Sequence, residues 1–419
     1  MKINLKFGKE LITINLDDSV LIDTITPTLD LIGQRDQIQI NFFPLEKLLI
    51  QKKIEVSRIK VGIALNDKTR PVPYSELIPS LINNLLNFGI IKQNISFYIS
   101  NGTHVPDYDL NHLHLSDEYL NGFNFFQHDS NDNNNLIFLG KTSFNTPIIV
   151  NRSFYECDLK ISIGNIEPHH FAGYSGGVKT VAIGLAGWET INHNHSLLSD
   201  PNSVICEYTK NKVRMDIEEI GDIIGVDLAL NCILSDDKRP LMILFDHPKV
   251  VMEKAIPIIN NFHTIKIDKK YDLVIASAGG YPKDINFYQS QKAASNASKL
   301  LKPGGSMLLI AECIEGHGSD TYINFVKKFK NPFEIIHYFE NHAFVIGQHK
   351  AYLMAKIQSK FNVHLFSRMP QDDVKSLLME PVSDIKFFIE KHISGLKNKT
   401  IALMPNAVTT IPIIDQDES

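Results

Sequence analysis

Cysteine is scarce in this sequence, and no two cysteines are close together. Four lie among 419 residues without a C-x-x-C pair, which excludes a disulfide framework and a zinc site built on thiolates. No apolar run approaches the roughly 20 residues that a membrane helix needs. Glu10 and Asp17 interrupt the start of the chain before a secretory signal peptide could form. The expected location is the cytoplasm.

An excess of one charge is also missing. The 42 Lys and Arg residues stand against 47 Asp and Glu residues, for a formal net charge of -5. Such a balance gives no general attraction to nucleic acid or to an anionic membrane. Hydrophobic residues make up 43% of the chain, which is enough for a large core spread over about two or three domains. We therefore expect a small-molecule partner, with no nucleic acid and no membrane.

Apolar periodicity predicts the fold class. KINLKF and LITINL flank a turn at Gly8-Lys9, which predicts an N-terminal β-hairpin cap. The runs IKVGIAL, ISFYIS and DLKISIG each lead into a polar or glycine-bearing loop, and SELIPSLINNLLNFG has helical periodicity. The same rhythm restarts at DLVIASAGG after the charged passage TIKIDKKYD. We predict two α/β domains with mainly parallel sheets, residues 1–265 and 270–419, and an active site in the cleft between them.

The loops after these strands should carry the chemistry. In open α/β sheets, ligands bind beyond the carboxyl ends of the strands. This rule predicts site loops at residues 66–71, 101–104, 165–180 and 281–292 on one strand edge. In the first loop, Arg70 suits bidentate capture of a carboxylate or phosphate, and Asp67 could orient it.

The third loop contains a glycine-rich segment, GYSGGVKT. It would match the phosphate-binding pattern G-x-x-x-x-G-K-[ST] if the second glycine were not replaced by Val178. Four histidines fall within 27 positions around Lys179, namely His169, His170, His193 and His195. Such clustering favours a metal or proton-transfer role. Two alternatives stay open: a zinc hydrolase using His169, His193 and His195, and a non-catalytic nucleotide-binding protein using the near-phosphate loop.

Seven segments together resemble the lactate racemase family. In chain order, between about residues 60 and 320, they are NDKTRPVP, NGTHVP, EPHHFAGYSGGVKT, NHNHSLL, NKVRMDIEEIG, GGYPKDINFYQSQKA and EGHGSD. The resemblance implies an isomerase, a racemase or epimerase that inverts C2 of a small, lactate-like 2-hydroxy acid. It also implies proton-coupled hydride transfer to a nickel-pincer nucleotide tethered to a lysine.

The resemblance assigns roles to particular residues. The cofactor, a nickel-bearing pyridinium-3,5-bisthiocarboxylic acid mononucleotide, would be attached to Lys179 and supplied by biosynthesis enzymes acting in trans. His195 would bind the nickel, with His193 as a substitute, and His104 and His169 would be the acid/base pair, with His170 as the alternative to His169. Further cofactor contacts would be Asp67, Thr69, Arg70, Gly176 and Gly177. Substrate contacts would be Arg70, Tyr288, Gln289 and Lys292.

Two residues depart from the family pattern. Val178 stands where a basic residue is expected before the lysine, and Ile183 stands where a proline is expected before Gly184. Both adjoin the attachment site, although every reactive position remains filled. The chemistry supports the assignment, because removing a proton beside a carboxylate is costly and removing hydride avoids a carbanion. Imidazole is also a suitable nickel ligand.

Overall fold

A computed structural model describes residues 1–17, 20–27, 39–52, 54–235, 238–342, 348–393 and 400–414. The chain divides into two compact units, one formed by Met1–Asp30 with Asn261–Ser419 and the other by Leu31–Asn260. The N-terminal segment therefore groups with the C-terminal part of the chain, whereas a division at residues 265–270 would have placed it in the first domain.

The described residues form strands and helices in alternation. The strands are β1 (Lys2–Phe7), β2 (Glu10–Asn15), β3 (Ile22–Thr24), β4 (Val61–Asn66), β5 (Ile95–Ser100), β6 (Asn124–Gln127), β7 (Leu136–Lys141), β8 (Pro147–Asn151), β9 (Leu159–Asn165), β10 (Pro168–His169), β11 (Gly173–Tyr174), β12 (Leu228–Leu234), β13 (Pro240–Asp246), β14 (Thr264–Ile267), β15 (Tyr271–Ser277), β16 (Leu301–Ile310), β17 (Asn362–Phe366), β18 (Glu380–Pro381), β19 (Ile401–Met404) and β20 (Ile411–Ile414).

The helices are α1 (Phe43–Gln51), α2 (Tyr74–Asn87), α3 (Asp117–Gly122), α4 (Arg152–Tyr155), α5 (Lys179–Ala182), α6 (Trp188–Ser196), α7 (Lys212–Ile224), α8 (Pro248–His263), α9 (Phe287–Ala297), α10 (Asp320–Val326), α11 (Pro332–Asn341), α12 (His349–Gln358), α13 (Gln371–Ser376) and α14 (Ile385–Ile393).

The unit Leu31–Asn260 is built on a six-stranded sheet with the order β13-β12-β9-β4-β5-β6. Its neighbours are parallel except at β12 and β13, which are antiparallel. The run IKVGIAL becomes β4, whose first five residues are buried, as expected for a strand covered on both faces. One apolar cluster includes Ile63 and the α2 residue Leu77, and a second includes Ala229 and the α8 residue Met252.

The other unit is built on a second six-stranded sheet, with the order β18-β17-β16-β15-β19-β3. All of its neighbouring pairs are parallel. Helix α9 packs on it through an apolar cluster that includes Phe287 and Ala294. The predicted α/β class with mainly parallel sheets is therefore confirmed.

The N-terminal hairpin is confirmed as well. Strands β1 and β2 pair antiparallel around the turn at Gly8. The apolar residues that alternate along β1, such as Leu5 and Phe7, pack in one cluster with Leu308 of β16. At the turn, the Gly8 amide donates to Asp284 Oδ2 at 2.7 Å, which ties the hairpin to the segment after β15.

Two local features join segments that are distant in the chain. His128, the first residue of the Asn-rich segment HDSNDNNN, is buried, and its Nε2 lies 2.9 Å from the Ala186 carbonyl oxygen. The charged passage TIKIDKKYD begins with β14, which pairs in parallel with β20.

Candidate active site

Three of the predicted site loops leave one edge of the sheet in the unit Leu31–Asn260. Strands β9, β4 and β5 are adjacent and parallel, so the loops at residues 66–71, 101–104 and 165–180 start side by side. The fourth predicted loop follows β15, which belongs to the other sheet. The expectation of a single shared strand edge therefore holds for three loops and is wrong for the fourth, because β15 pairs only with strands of its own unit among the described residues.

The first two loops are joined by a short contact between Asp67 and His104. His104 Nδ1 lies 2.6 Å from Asp67 Oδ2, and the Thr69 hydroxyl donates to Asp67 Oδ1 at 2.7 Å. Burial alone would raise the pKa of the Asp67 carboxyl, but hydrogen bonds from His104 and Thr69, with the charge of Arg70, hold it below its usual value. The His104 side chain is 58% exposed, so it combines a fixed ring with access to a ligand.

The third loop and helix α6 bring two more imidazoles to the same edge. His169 and His195 pack edge-on against the Phe171 ring, with centroid distances of 4.8 and 5.0 Å. Burial, followed by the nearby charges of Lys179 and Arg70, lowers the pKa of His169 well below its usual value. His170 and His195 contribute in the same direction, which places these groups within electrostatic range of one another.

Lys179 lies at the start of α5 with its side chain half-buried. Burial lowers its pKa to about 7, and the charges of Arg70 and Arg214 add to this effect against the opposing influence of Glu167. Among the described residues, no carboxylate forms a salt bridge with this lysine. A lysine in this state is largely uncharged above neutral pH, so its amine can act as a nucleophile.

The glycines before Lys179 are required by their backbone conformation and by close packing. Gly176 and Gly177 have φ angles of 78° and 61°, which favour glycine. A Cβ on Gly176 would lie 2.4 Å from Ile166 Cγ1, and one on Gly177 would lie 2.9 Å from Arg214 Nη2. These predicted cofactor contacts thus also shape the loop that presents Lys179.

Two residues that were not predicted as site residues form hydrogen bonds with the backbone of this loop. Arg214 is fully buried in α7 and donates to the carbonyls of Tyr174 and Gly176, at 3.0 and 3.2 Å. Asn231 of β12 accepts from the Gly177 amide at 2.7 Å. The segment NKVRMDIEEIG contains Arg214, but nothing in its helical pattern signals that an arginine faces inward.

Both departures from the family pattern have a structural reason. Val178 is 2% exposed and fits against Gly221 of α7, where an added Cβ would come within 2.4 Å of it. At Ile183 the backbone φ is -114°, and its amide donates to the Lys179 carbonyl at 3.1 Å. Proline fixes φ near -65° and has no amide hydrogen, so this helix end would not accommodate it.

The remaining predicted contacts lie on α9 in the other unit. The Lys350 ammonium lies 3.4 Å from the centroid of the Tyr288 ring and donates to the Tyr288 carbonyl at 2.8 Å. Gln289 is exposed and Lys292 is half-buried. Both belong to the one helix, three positions apart, and therefore share a face of it.

The near-phosphate loop does not have the form that binds nucleotide phosphates. Phosphate loops cradle their ligand with free backbone N–H groups at the start of a helix. Here the amides of Ser175, Gly177 and Lys179 donate to protein oxygens, and α5 is only four residues long. These three amides are therefore not available to a phosphate, which counts against the nucleotide-binding alternative.

The zinc-hydrolase alternative needs three converging histidines. His193 Nδ1 contacts the Thr146 hydroxyl at 2.9 Å, whereas His169 and His195 flank Phe171. Across the residues that the structure describes, no group of three or more His, Cys, Asp and Glu side chains is arranged to hold a metal ion.

Within the same residues, no helix is long and apolar enough to span a membrane.

Comparison with known proteins gives a consistent result. Sequence models of the lactate racemase N-terminal and C-terminal domains match residues 7–205 and 267–412. A lactate racemase of Thermoanaerobacterium thermosaccharolyticum is 26% identical over 360 residues, which cover 84% of each chain. A lactate racemase of Lactiplantibacillus plantarum is 28% identical over 291 residues, which cover 67% of each chain.

Solved structures support the fold. The lactate racemase apoprotein from Thermoanaerobacterium thermosaccharolyticum superposes with a TM-score of 0.85 at 23% identity, covering 99% of this chain and all of that one. A protein from Thermotoga maritima superposes with a TM-score of 0.62 at 18% identity, covering 88% and 96%. With two domain models matched in order along most of its length, this chain belongs to the lactate racemase family and is an isomerase of the racemase class.

Proposed function

We propose that the protein racemises lactate or a related small 2-hydroxy acid and carries a nickel-pincer nucleotide on Lys179. The observation that carries this proposal is the half-buried amine with a pKa of about 7, placed beside His169 and His195. An uncharged amine can form an amide with a carboxyl-derived group, whereas an ammonium cannot. The two lactate racemases that match this chain support lactate as the first substrate to test.

The donor set fits the proposed cofactor. Imidazole is a suitable nickel ligand, so a histidine beside Lys179 would hold the metal of a nucleotide attached there. His195 lies near His169, as its influence on the pKa of His169 indicates, so we assign it as the nickel ligand in preference to His193. When bound, the cofactor supplies an acceptor for the hydride that leaves C2 of the substrate.

The protein's own residues would handle the proton and the carboxylate. His104 and His169 come from different loops, so one acid/base group would be available for each enantiomer, to take the proton of the C2 hydroxyl or to return it. The Ala172 amide donates to His169 Nδ1 at 3.3 Å, so the neutral His169 ring carries its hydrogen on Nε2 and would act first as the acid. Asp67 accepts from His104 Nδ1, which leaves Nε2 of the neutral ring as the proton acceptor. Arg70 is exposed at the end of β4 and is suited to hold the substrate carboxylate in a bidentate pair.

The remaining assignments belong to the same proposal. Thr69, Gly176 and Gly177 would contact the nucleotide, while Tyr288, Gln289 and Lys292 would contact the substrate. Biosynthesis enzymes acting in trans would load the cofactor, and neither nucleic acid nor a membrane is required. A cytoplasmic location is supported by the four cysteines, which are all reduced.

Mass spectrometry tests the attachment directly. Protein made together with the cofactor-biosynthesis enzymes should show a nucleotide adduct that is lost in Lys179→Ala. Lys160→Ala is the matched control, because burial also lowers the pKa of Lys160, but its ammonium donates to the Cys157 carbonyl. Absence of the adduct in the unsubstituted protein, or full racemase activity in Lys179→Ala, would overturn the proposal.

The substrate is tested with single enantiomers. The loaded enzyme should abolish the optical rotation of L-lactate or of another small 2-hydroxy acid in a panel that includes dicarboxylic and sugar acids. The panel also includes chiral acids without a 2-hydroxy group. Activity on those acids alone would refute the substrate class.

A further inference from the structure

A buried carboxylate lies behind the two histidines of α6. Asp216 of α7 has no exposed surface, and it accepts three hydrogen bonds. The Thr142 hydroxyl donates to Oδ1 at 2.6 Å, while the Thr146 hydroxyl and the Asn194 amide donate to Oδ2, both at 2.8 Å. Two of these three donors continue to an imidazole.

The first branch runs through Asn194 to His195. The Asn194 amide nitrogen donates both to Asp216 and to the Val213 carbonyl, at 2.8 and 3.1 Å. The Asp216 carboxylate and the Val213 carbonyl can only accept hydrogen bonds. Flipping the Asn194 carboxamide would therefore place its own oxygen against these two oxygens. Asn194 Oδ1 must therefore face His195 Nδ1, which lies 3.1 Å away. An oxygen that only accepts requires a hydrogen on Nδ1.

The second branch runs through Thr146 to His193. The single hydroxyl hydrogen of Thr146 is used in the bond to Asp216, so only a lone pair remains for His193 Nδ1 at 2.9 Å. Nδ1 of His193 must then also carry its hydrogen. One carboxylate thus sets the same tautomer in two histidines through two different side chains.

We propose that Asp216 is a positioning residue that fixes His195 and His193 as Nδ1–H tautomers and leaves Nε2 of His195 as the nitrogen for the metal. The metal part of this inference rests on the proposed function, whereas the tautomers do not. Metal-binding histidines commonly donate their second ring N–H to a carboxylate, a backbone carbonyl or a water molecule. Loss of that partner lowers metal affinity by about 10- to 100-fold. Here the immediate partner is a carboxamide, which is itself held by the buried carboxylate.

The tautomers can be read in protein without cofactor. Long-range 1H–15N correlation spectra of histidine-labelled protein, recorded at a pH at which both rings are neutral, should show Nδ1–H and an unprotonated Nε2 for both rings, with the signals assigned from His193→Asn and His195→Asn. Asn194→Ala should release only His195 toward the Nε2–H form, and Thr146→Val should release only His193. Asp216→Asn should alter both rings.

Thr142→Val is the matched control. It removes one donor from Asp216, and yet Thr142 has no hydrogen bond to either imidazole among those of the described residues, so both rings should keep their tautomers. Asn194→Ala and Thr146→Val each interrupt one branch, so they keep the test valid even if Asp216→Asn fails to fold. An Nε2–H signal for His195 in the unsubstituted protein, or an unchanged His195 in Asn194→Ala, would overturn the relay.

Nickel retention tests the metal part separately. After loading, Asn194→Ala should bind nickel with an affinity about 10- to 100-fold lower than that of the unsubstituted protein, so it should retain less nickel per protein after dialysis, as measured by mass spectrometry. Thr142→Val should retain nickel normally. Equal retention by Asn194→Ala would overturn the assignment of the relay to metal binding. The spectra of cofactor-free protein do not depend on racemase activity, so failure of the relay and failure of the proposed function give different results.

Discussion

The contact between Val178 and Gly221 provides a quantitative test of how the Lys179 loop is supported. A Cβ added to Gly221 would lie 2.4 Å from Val178 Cβ and 2.6 and 2.7 Å from its two methyl carbons. Overpacking of this kind costs about 1–3 kcal/mol, and alanine regains about 1 kcal/mol over glycine within a helix. Because the closest atom is a Cβ that cannot rotate away, we take the upper end of this cost and expect Gly221→Ala to lower the free energy of unfolding by about 2 kcal/mol.

The reverse change removes the other side of the contact. Val178 is 2% exposed, so Val178→Gly loses three buried carbons and gains chain entropy in the unfolded state, for a loss of about 3 kcal/mol. If the two changes were independent, the double variant would lose about 5 kcal/mol. In the swapped pair, however, the alanine methyl fills the space that valine leaves. We therefore expect the double variant to lose only about 2–3 kcal/mol, a coupling of about 2–3 kcal/mol.

The chain offers a built-in reporter for this measurement. Its single tryptophan, Trp188, starts α6 in the same unit, so urea unfolding followed by tryptophan fluorescence reports on this unit. Gly225→Ala is the matched control, because its φ is 76° but an added Cβ meets nothing within 4 Å. It should cost about 1–2 kcal/mol and combine additively with Val178→Gly. Additive behaviour of the Gly221 pair would refute the reasoning.

Four further predictions concern the chemistry. The rate of acylation of Lys179 in cofactor-free protein, followed by peptide mass spectrometry, should rise with pH and have its midpoint near pH 7, because the pKa of Lys179 is lowered to about 7. A midpoint near pH 10.5, the ordinary pKa of lysine, would contradict this. Since the folded state disfavours the ammonium, stability relative to Lys179→Met should increase between pH 7 and about 10 and be lowest below pH 7. Asp67→Asn should reduce kcat by about 100-fold or more, because a carboxamide can donate to His104 and permits the wrong tautomer; unchanged kcat would argue against the pair. Lactate deuterated at C2 should keep its deuterium after racemisation, as NMR would show, whereas exchange with water would indicate proton abstraction.

The sequence was sufficient for the features that local patterns encode. The apolar run of β4 and the polar loop after it gave the sheet edge, and that edge brings Asp67 and His104 together. The same rule failed for the loop after β15. Strand periodicity does not tell which sheet a strand joins, and β15 pairs with β16 and β19 of the other unit.

Contacts between distant segments could not be predicted in this way. Asp216 is bound by residues 70 and 74 positions earlier, and Arg214 reaches carbonyls 38 and 40 positions earlier. Charged residues on an amphipathic helix usually face solvent, and nothing in the pattern of α7 signals that these two face inward. The burial of His128 likewise depends on a distant contact, since its partner at Ala186 lies 58 positions later.

The buried Arg214 shows why such contacts matter for the site. Burying a guanidinium is costly unless its donors are satisfied, and here Nε binds Glu218 while the two terminal nitrogens reach the carbonyls of Tyr174 and Gly176. An apolar replacement would leave both carbonyls without this donor. Burial is the main reason that the pKa of Lys179 is lowered, and the positive charges of Arg70 and Arg214 add to it. One residue therefore both holds the glycine loop in its left-handed turns and favours the uncharged amine that the loop presents, although it forms no hydrogen bond with that amine.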